Sequence, residues 1–246
     1  MSPSTGEKGP LTMLVVHSSE IWQTHPTLVA GILYAHGIDA SAEVGDRLRP
    51  HREAACRRLE SRSVSDLPEI RAWRRGFAAM GLKPTQYRCA SEALLRRLGK
   101  DGHLPRIHPL IDLCNHVSAR YAIPVGVFDR DFVAGDMHIR EAVGDEEHVT
   151  FGGSVEHPAP GEVVFADDAG RVHSRRWTNR QGAHAAVRAS TQRGLIVVEA
   201  LHQGAVTDVG AVLETLRREI SAIWGTEPHS HLVLGPNHPI RWEEMG

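Results

Sequence analysis

With 246 residues, 41% of them hydrophobic, the chain is long enough to bury a core without disulfides or structural metals. Its formal net charge of −2 excludes a general attraction to nucleic acid, so phosphate binding would have to come from local arginine clusters, and no DNA partner is expected. Three cysteines without C-x-x-C spacing, and no apolar run near the roughly 20 residues of a membrane helix, predict a cytoplasmic protein without a membrane partner.

The first ten residues, MSPSTGEKGP, are polar and predict a flexible leader. No linker of more than a few residues divides the rest, so residues 11–246 are expected to form one domain whose oligomeric state the sequence leaves open. Short β-branched runs predict two early strands, at 11–18 and 27–38. Capping and stop signals then predict three helices, at 51–61, from Ser65 or Asp66 to Gly81, and from Thr85 to Gly99.

The stretch from Leu104 to Asp131 reads as a helix with two different faces, followed by a strand. Pro124 cannot continue a helix, and the alternation after it is typical of a strand over 125–131. Helical spacing predicts an apolar stripe made of Ile107, Leu110, Ile111, Cys114, Val117, Ser118 and Tyr121. The same spacing predicts a polar face made of Asp112, Asn115, His116 and the small Ala119.

Beyond this stretch the chain consists of short β-rich segments, at 137–143, 147–153, 161–168, 171–177 and 194–201, and a closing helix from Thr207 or Asp208 to Gly225. The fold class predicted is therefore α+β, with a helical N-terminal half and a mostly antiparallel, sandwich-like sheet. The tail holds His229, His231 and His238 without a third ligand at helical spacing, so no metal site is predicted.

Several familiar catalytic motifs are missing from the sequence, among them the phosphate-binding P-loop, the dinucleotide fingerprint, the nucleophile elbow and the zinc-binding H-E-x-x-H helix. Neither a cofactor nor a catalytic metal is expected. Polar density remains on the helix face around Asn115 and in the segment from Arg175 to Gly182. Arginines beside an indole and an amide suit a phosphate and a stacked base, while a buried Trp177 with solvated arginines is the alternative reading.

The order of these elements resembles the B3/B4 module in the β-subunit of bacterial phenylalanyl-tRNA synthetase, a tRNA-binding editing domain, and more closely its free-standing relatives. The resemblance spans about 70–201. It rests on the segments GLKPTQYRCASEALLRRL, LPRIHPLIDLCNHVSARYAIPVGVFD, PGEVVFADDAGRVHSRRWTNRQG and TQRGLIVVEAL. The D-x-x-N core and the motif that follows it match Asp112, Asn115, Pro124, Phe128 and Asp129. The free-standing pattern R-R-W-x-x-R-Q-G matches Arg175 to Gly182.

The resemblance implies a pocket that hydrolyses mischarged aminoacyl-tRNA. The polar helix face beside a basic strand makes Asn115 and His116 the catalytic candidates, at the water or the ester. Substrate-binding candidates are Asp112, Gly126, Arg176, Trp177, Thr178, Arg180, Gln181 and Gly182. The family's motif histidine falls on Gly126, and its Gly-Gly-Glu stretch falls near Gln181-Gly182-Ala183, so two groups that read tyrosine are absent. A non-catalytic tRNA-, RNA- or amino-acid-binding module and an enzyme acting on a small amino-acid-like metabolite therefore stay open as alternatives.

Overall fold

A computed structural model describes residues 12–236 and 240–243, with side chains described for 13–236. The leader 1–10 and His238 lie outside the described residues. The first half of the chain contains β1 (Thr12–His17), α1 (Ser19–Thr24), β2 (Val29–His36), α2 (Gly45–Ser61), α3 (Pro68–Ala79), α4 (Ala90–Asp101) and α5 (Pro109–Tyr121). The second half contains β3 (Val125–Asp129), β4 (Met137–Glu141), β5 (His148–Val149), β6 (Val155–Glu156), β7 (Val163–Asp167), β8 (Val172–Arg175), β9 (Arg180–Gln181), β10 (Arg193–Ala200), α6 (Ala205–Trp224), β11 (His229–Val233) and β12 (Ile240–Glu243).

The strands form two main sheets that face each other. One sheet has the order β12-β1-β4-β7-β8-β9, the other the order β11-β2-β10-β3, and β5 pairs with β6 alone. Neighbouring strands run antiparallel except for the parallel pair β1–β4. Helices combined with a mostly antiparallel, sandwich-like arrangement confirm the predicted α+β class. No described helix is long and apolar enough to cross a membrane.

The four-stranded sheet is covered on both faces, which is why its central strand β10 is apolar almost throughout. Leu195 and Val197 belong to the core cluster shared with the six-stranded sheet. The alternate residues Ile196 and Val198 belong to a second cluster, to which α5 and α6 contribute. A residue on β3 or β10 therefore faces either the space between the sheets or the helices, according to its position in the alternation.

The predicted starts of four helices were wrong: α3 follows the N-cap Leu67, and α6 begins at Ala205, ahead of its predicted caps. The other two are α2 and α4. Helix α2 begins at Gly45 rather than His51 and includes Pro50, because the buried Leu48 anchors this first stretch in the core. Helix α4 begins at Ala90, since the segment after Lys83 forms a turn in which Gln86 and Tyr87 both donate backbone hydrogen bonds to the Lys83 carbonyl.

The end of α4 and the start of α5 also differ from the prediction. Helix α4 passes Gly99 and ends at Asp101, followed by the C-cap Gly102, whose left-handed backbone (φ 74°) suits a glycine. Ile107 was predicted in the apolar stripe of α5, but it precedes the N-cap His108 and is 64% exposed. The rest of that stripe packs as expected, with Leu110, Cys114 and Val117 buried.

Candidate functional site

A cavity of about 140 Å³ opens between the two sheets, next to the start of α4. Its apolar lining comes from Ala90, Pro124, Val125, Phe128, Phe165 and Trp177. Its polar lining comes from Ser174, Thr178, Asn179, Gln181 and Glu199, and Gly126 completes it. A cavity of this kind, apolar with a few convergent polar groups, is typical of a small-molecule site.

The cavity exists because β3 carries a glycine on its inner face. Gly126 pairs with Val197 of β10, and in the strand alternation Phe128 and Glu199 face the same side. A Cβ at Gly126 would lie 3.2 Å from the Phe128 ring, so even a methyl group would press on that wall. Gly126, a candidate substrate-binding residue, thus lines the cavity and leaves its space open.

A single carboxylate, that of Glu199, lies at the buried end of the polar lining. Its Oε1 accepts hydrogen bonds from His17 Nε2 at 2.7 Å and Trp177 Nε1 at 2.9 Å. All three side chains are almost completely buried. Two N–H donors on one oxygen fix the orientation of the carboxyl group. Its Oε2 makes no hydrogen bond with any described residue and is the atom left for a ligand.

The turn between β8 and β9 holds Trp177 in place through an unusual backbone. Arg176 and Trp177 are both left-handed, with φ of 47° and 57°, a conformation that costs about 1–3 kcal/mol for each residue that is not glycine. Ser174 Oγ donates to the Trp177 carbonyl at 2.6 Å. The Trp177 ring packs edge-on against Trp73 at 5.0 Å and His25 at 4.8 Å between centroids. This packing offsets the strain and aims the indole N–H at Glu199.

The arginines of the same hairpin are largely engaged inside the protein. Arg175 is buried and binds Glu162 with two hydrogen bonds, at 2.8 and 2.9 Å, and Glu156 with a third. Burial alone would raise the pKa of Glu162, but the hydrogen bonds and charge of Arg175 outweigh it and the pKa is lowered. Arg180 is more exposed and binds both oxygens of Glu156. These pairs brace the hairpin from its outer side.

Arg176 is the exception among these arginines. Its guanidinium stacks on the Tyr87 ring at 4.9 Å and makes no ion pair with a described residue. Because Arg176 directly precedes Trp177, this cation lies beside the cavity wall rather than inside the cavity.

The remaining polar groups of the lining differ in how far the protein already uses them. Gln181 Nε2 donates to the Val127 carbonyl at 2.7 Å, and Asn179 Nδ2 donates to the Arg88 carbonyl at 2.8 Å. Thr178 Oγ1 is buried and has no hydrogen-bond partner among the described residues. The Thr178 hydroxyl, like Glu199 Oε2, is thus a polar group of the lining whose hydrogen bonds the described residues do not supply.

The polar helix face does not meet the hairpin in one site, contrary to the expectation from sequence. Asn115 and His116 lie on α5, which packs on the outer face of the four-stranded sheet, and neither lines the cavity. The Asp112 carboxylate is used within the chain: Oδ1 accepts from the Ile107 N–H at 2.8 Å and Oδ2 pairs with Arg106 at 2.9 Å.

Gly182 also lies outside the cavity lining, and its position follows from packing. A Cβ there would lie 2.9 Å from the Val172 carbonyl oxygen and 3.0 Å from the His148 ring.

Sequence reasoning missed Glu199 and His17. The signal for Glu199 was its place in the apolar run GLIVVEAL, where a charged side chain in a buried strand needs a partner.

Two groups of side chains in the described part of the chain have the spacing of metal ligands, and both lie away from the cavity. They are Glu69, His202 and Asp208, and Asp136, His138 and Asp168. Their members already bind each other or an arginine: His202 with Asp208 at 2.8 Å, His138 with Asp168 at 2.8 Å, and Glu69 with Arg58 at 2.7 Å.

The fold and the cavity define an α+β domain with a ligand-sized site between two sheets, and comparison with known proteins gives its family. Residues 72–222 match the family model described as "B3/4 domain", and the chain belongs to this family. It is similar to the phenylalanine–tRNA ligase beta subunit of Bartonella quintana (strain Toulouse), with 28% identity over 97 residues, which is 39% of this chain and 12% of that protein.

A solved structure also resembles the chain, an N-terminal fragment of the phenylalanyl-tRNA synthetase beta subunit from Pyrococcus horikoshii. It has a TM-score of 0.48 and 12% identity, covering 93% of this chain and 54% of that one. The chain thus matches only part of each of these relatives.

Proposed function

We propose that this protein hydrolyses aminoacyl esters on tRNA and takes the amino acid into the cavity between the sheets. The observation that carries the proposal is an amphipathic cavity whose buried end presents one free carboxylate oxygen, Glu199 Oε2. Membership of the B3/4 domain family and similarity to a phenylalanine–tRNA ligase beta subunit support a tRNA-related role.

The size of the cavity fits an apolar amino-acid side chain. An apolar cavity of about 150 Å³ holds one benzene ring, and this one measures about 140 Å³. Phe128, Phe165 and Trp177 form its aromatic walls. In this proposal the side chain packs between these rings and the α-ammonium group binds Glu199 Oε2. The site thereby selects an α-amino acid over a neutral acyl group.

The reaction needs no group beyond water and the substrate. Water attacks the ester carbonyl and the bond to the ribose oxygen breaks. A proton from that water passes to the ribose oxygen, so the terminal ribose leaves as an alcohol and the free amino acid keeps the water's oxygen. Thr178 Oγ1, which has no partner within the described residues, is assigned to the water or the developing oxyanion. The neighbouring ribose hydroxyl of the tRNA supplies the other contact.

Among the candidates for substrate binding, Gly126, Trp177, Thr178 and Gln181 are retained because they line the cavity. Arg176 is assigned to the terminal nucleotide, since its guanidinium makes no ion pair with a described carboxylate and already stacks on an aromatic ring. The water-positioning role expected of Asn115 and His116 moves to Thr178.

The test is a deacylation assay over a panel of correctly and wrongly charged tRNAs, with wild type, Gly126→Ala and a matched control. We expect accelerated release for a subset of amino acids that share an apolar side chain. Gly126→Ala narrows the cavity against Phe128, so it should slow release most for the largest accepted side chain. Gly210→Ala is the control, because a Cβ there meets no atom within 4 Å.

Two outcomes contradict the proposal. If the protein accelerates amino-acid release from no tRNA in the panel, it is not an aminoacyl-tRNA hydrolase. Binding of tRNA without turnover would then indicate a binding module. If wild type and Gly126→Ala release amino acids of every side-chain size at equal rates, the cavity is not the amino-acid site.

A further inference from the structure

A second concave site lies on the other side of the four-stranded sheet, between the start of α2, the segment before α5, and α5 itself. This α2–α5 cleft has a volume of about 320 Å³. Its charged and polar lining consists of Asp46, Arg49, Arg52, His103, Arg106 and His116. Three guanidinium groups therefore face one carboxylate in a single concave surface.

Two of these arginines are not used by the described part of the protein. Arg49 and Arg52 lie three residues apart on α2, so they share one face of the helix. Neither forms an ion pair or a side-chain hydrogen bond with a described residue. They contrast with Arg47 and Arg58 of the same helix, which pair with Glu219 and Glu69 at 2.9 and 2.7 Å.

Arg106 closes the opposite wall of the cleft in a fixed position. Its Nε pairs with Asp112 Oδ2 at 2.9 Å, and the same carboxylate holds the Ile107 N–H. The other end of the guanidinium points toward the start of α2, where NH1 lies 3.8 Å from the position of a Cβ on Gly45. Asp112 thus orients Arg106 across the cleft from Arg49 and Arg52.

A nearly buried histidine also lines this cleft. The His116 side chain is only 5% exposed, and its Nδ1 lies 2.7 Å from the Asp112 carbonyl. A carbonyl only accepts, so Nδ1 carries the proton. The other ring nitrogen, Nε2, has no hydrogen-bond partner among the described residues. Burial lowers the pKa of His116, and the charges of Arg52 and Arg106 lower it further, against the opposing effect of Asp112.

We infer that the α2–α5 cleft binds a phosphate group, held between the Arg49 and Arg52 pair and Arg106. The neutral His116, whose Nε2 can only accept, faces a hydroxyl group of the ligand and not a phosphate oxygen. Guanidinium groups match phosphate oxygens in charge and in paired donor geometry, and the positive end of α2 adds to the attraction. We assign this phosphate to the tRNA backbone, at a distance from the ester, and this assignment of its source rests on the proposed function.

The experiment compares two double variants of the full chain that lose the same charge. Arg49→Gln with Arg52→Gln empties the cleft of its free cations, while Arg57→Gln with Arg62→Gln removes two exposed arginines near the other end of α2, where Arg62 is the C-cap. Deacylated tRNA binding is measured by fluorescence anisotropy at several salt concentrations. We expect the cleft variant to bind roughly tenfold more weakly, with a salt slope lower by about 2, since two phosphate contacts are lost. The control should stay within about twofold.

Titration calorimetry with inorganic pyrophosphate gives a second readout that does not depend on tRNA or on hydrolysis. Pyrophosphate binding that the cleft variant loses and the control keeps supports the phosphate site, even if no aminoacyl-tRNA is hydrolysed. With tRNA binding unchanged, that result assigns the site to a small phosphate compound instead of the backbone. The inference is overturned if the two variants lose binding equally. It is also overturned if neither variant loses binding of tRNA or of pyrophosphate. Circular dichroism checks that both variants are folded.

Discussion

The sharpest prediction concerns Glu199, because one conservative change tests the assignment of its free oxygen. Glu199→Gln keeps the size of the side chain and an oxygen that can still accept from His17 Nε2 and Trp177 Nε1. It removes the negative charge at the buried end of the cavity. The substrate's α-ammonium group would then face an amide where it had faced a carboxylate.

The magnitude follows from the value of a hydrogen bond to a charged group, about 1.5–3 kcal/mol. Losing that contact in the transition state lowers kcat/KM by roughly 10- to 150-fold, because each 1.36 kcal/mol corresponds to a factor of ten. Weakening the two internal hydrogen bonds should lower the free energy of unfolding by roughly 1–3 kcal/mol, which a domain with a typical stability of about 5–15 kcal/mol tolerates.

The assay measures deacylation of the best aminoacyl-tRNA from the panel and of the same tRNA with its amino group acetylated. Acetylation removes the cation, so wild type should lose about as much activity on the acetylated substrate as Glu199→Gln loses on the free one. The variant should barely distinguish the two substrates. Glu219→Gln is the control, since this nearly buried carboxylate pairs with Arg47 on α2 and does not line the cavity.

A folded Glu199→Gln protein with wild-type kcat/KM would refute the assignment. So would a variant that loses the same factor on the free and the acetylated substrate, because Glu199 would then act on the reaction without contacting the ammonium group.

Three further predictions concern stability. Burial lowers the pKa of His51 from 6.5 to about 4, so the unfolded chain binds the extra proton and stability falls as pH drops through that window. The free energy of unfolding, measured with urea, should fall between pH 7.5 and pH 5 by about 2 kcal/mol less in His51→Gln than in wild type. Asp112→Ala leaves the Ile107 N–H without its acceptor and Arg106 without its ion pair, so it should lower the free energy of unfolding by about 1–3 kcal/mol; an unchanged urea midpoint would contradict this structural role. Gly182→Ala brings a Cβ to 2.9 Å from the Val172 carbonyl and should lower the thermal midpoint, which unchanged melting would disprove.

Local signals in the sequence predicted the elements around α5 and β3 well. A proline after the helix and a β-branched alternation after the proline are properties of neighbouring residues, and the structure ends α5 at Tyr121 and starts β3 at Val125. The polar face of the helix was also real, and His116 does line a concave site. Which site it lines could not be read from the helix, because that depends on the face of the sheet against which α5 packs.

The most informative residue of the cavity was missed for a related reason. Glu199 meets His17 across 182 positions of sequence and Trp177 across 22. Neither contact leaves a trace in spacing or periodicity, since those patterns report only local structure. The R-R-W segment had two open readings, and the structure combines them: Trp177 is a buried wall, Arg175 is an internal brace, and Arg176 alone keeps a cation without a described carboxylate partner.

The strain in the β8–β9 turn explains why this hairpin, more than the helix, defines the cavity. Two successive left-handed residues that are not glycine persist only if the surroundings fix them. Here the fully buried Trp177 ring and its hydrogen bond to Glu199 supply that constraint. The position of Trp177, the orientation of the Glu199 carboxylate and the shape of the cavity wall are therefore coupled. The space left open by Gly126, in contrast, is set on β3. It follows that changes at position 126 should alter which side chain fits while leaving ammonium recognition intact, and changes at Trp177 should disturb both together.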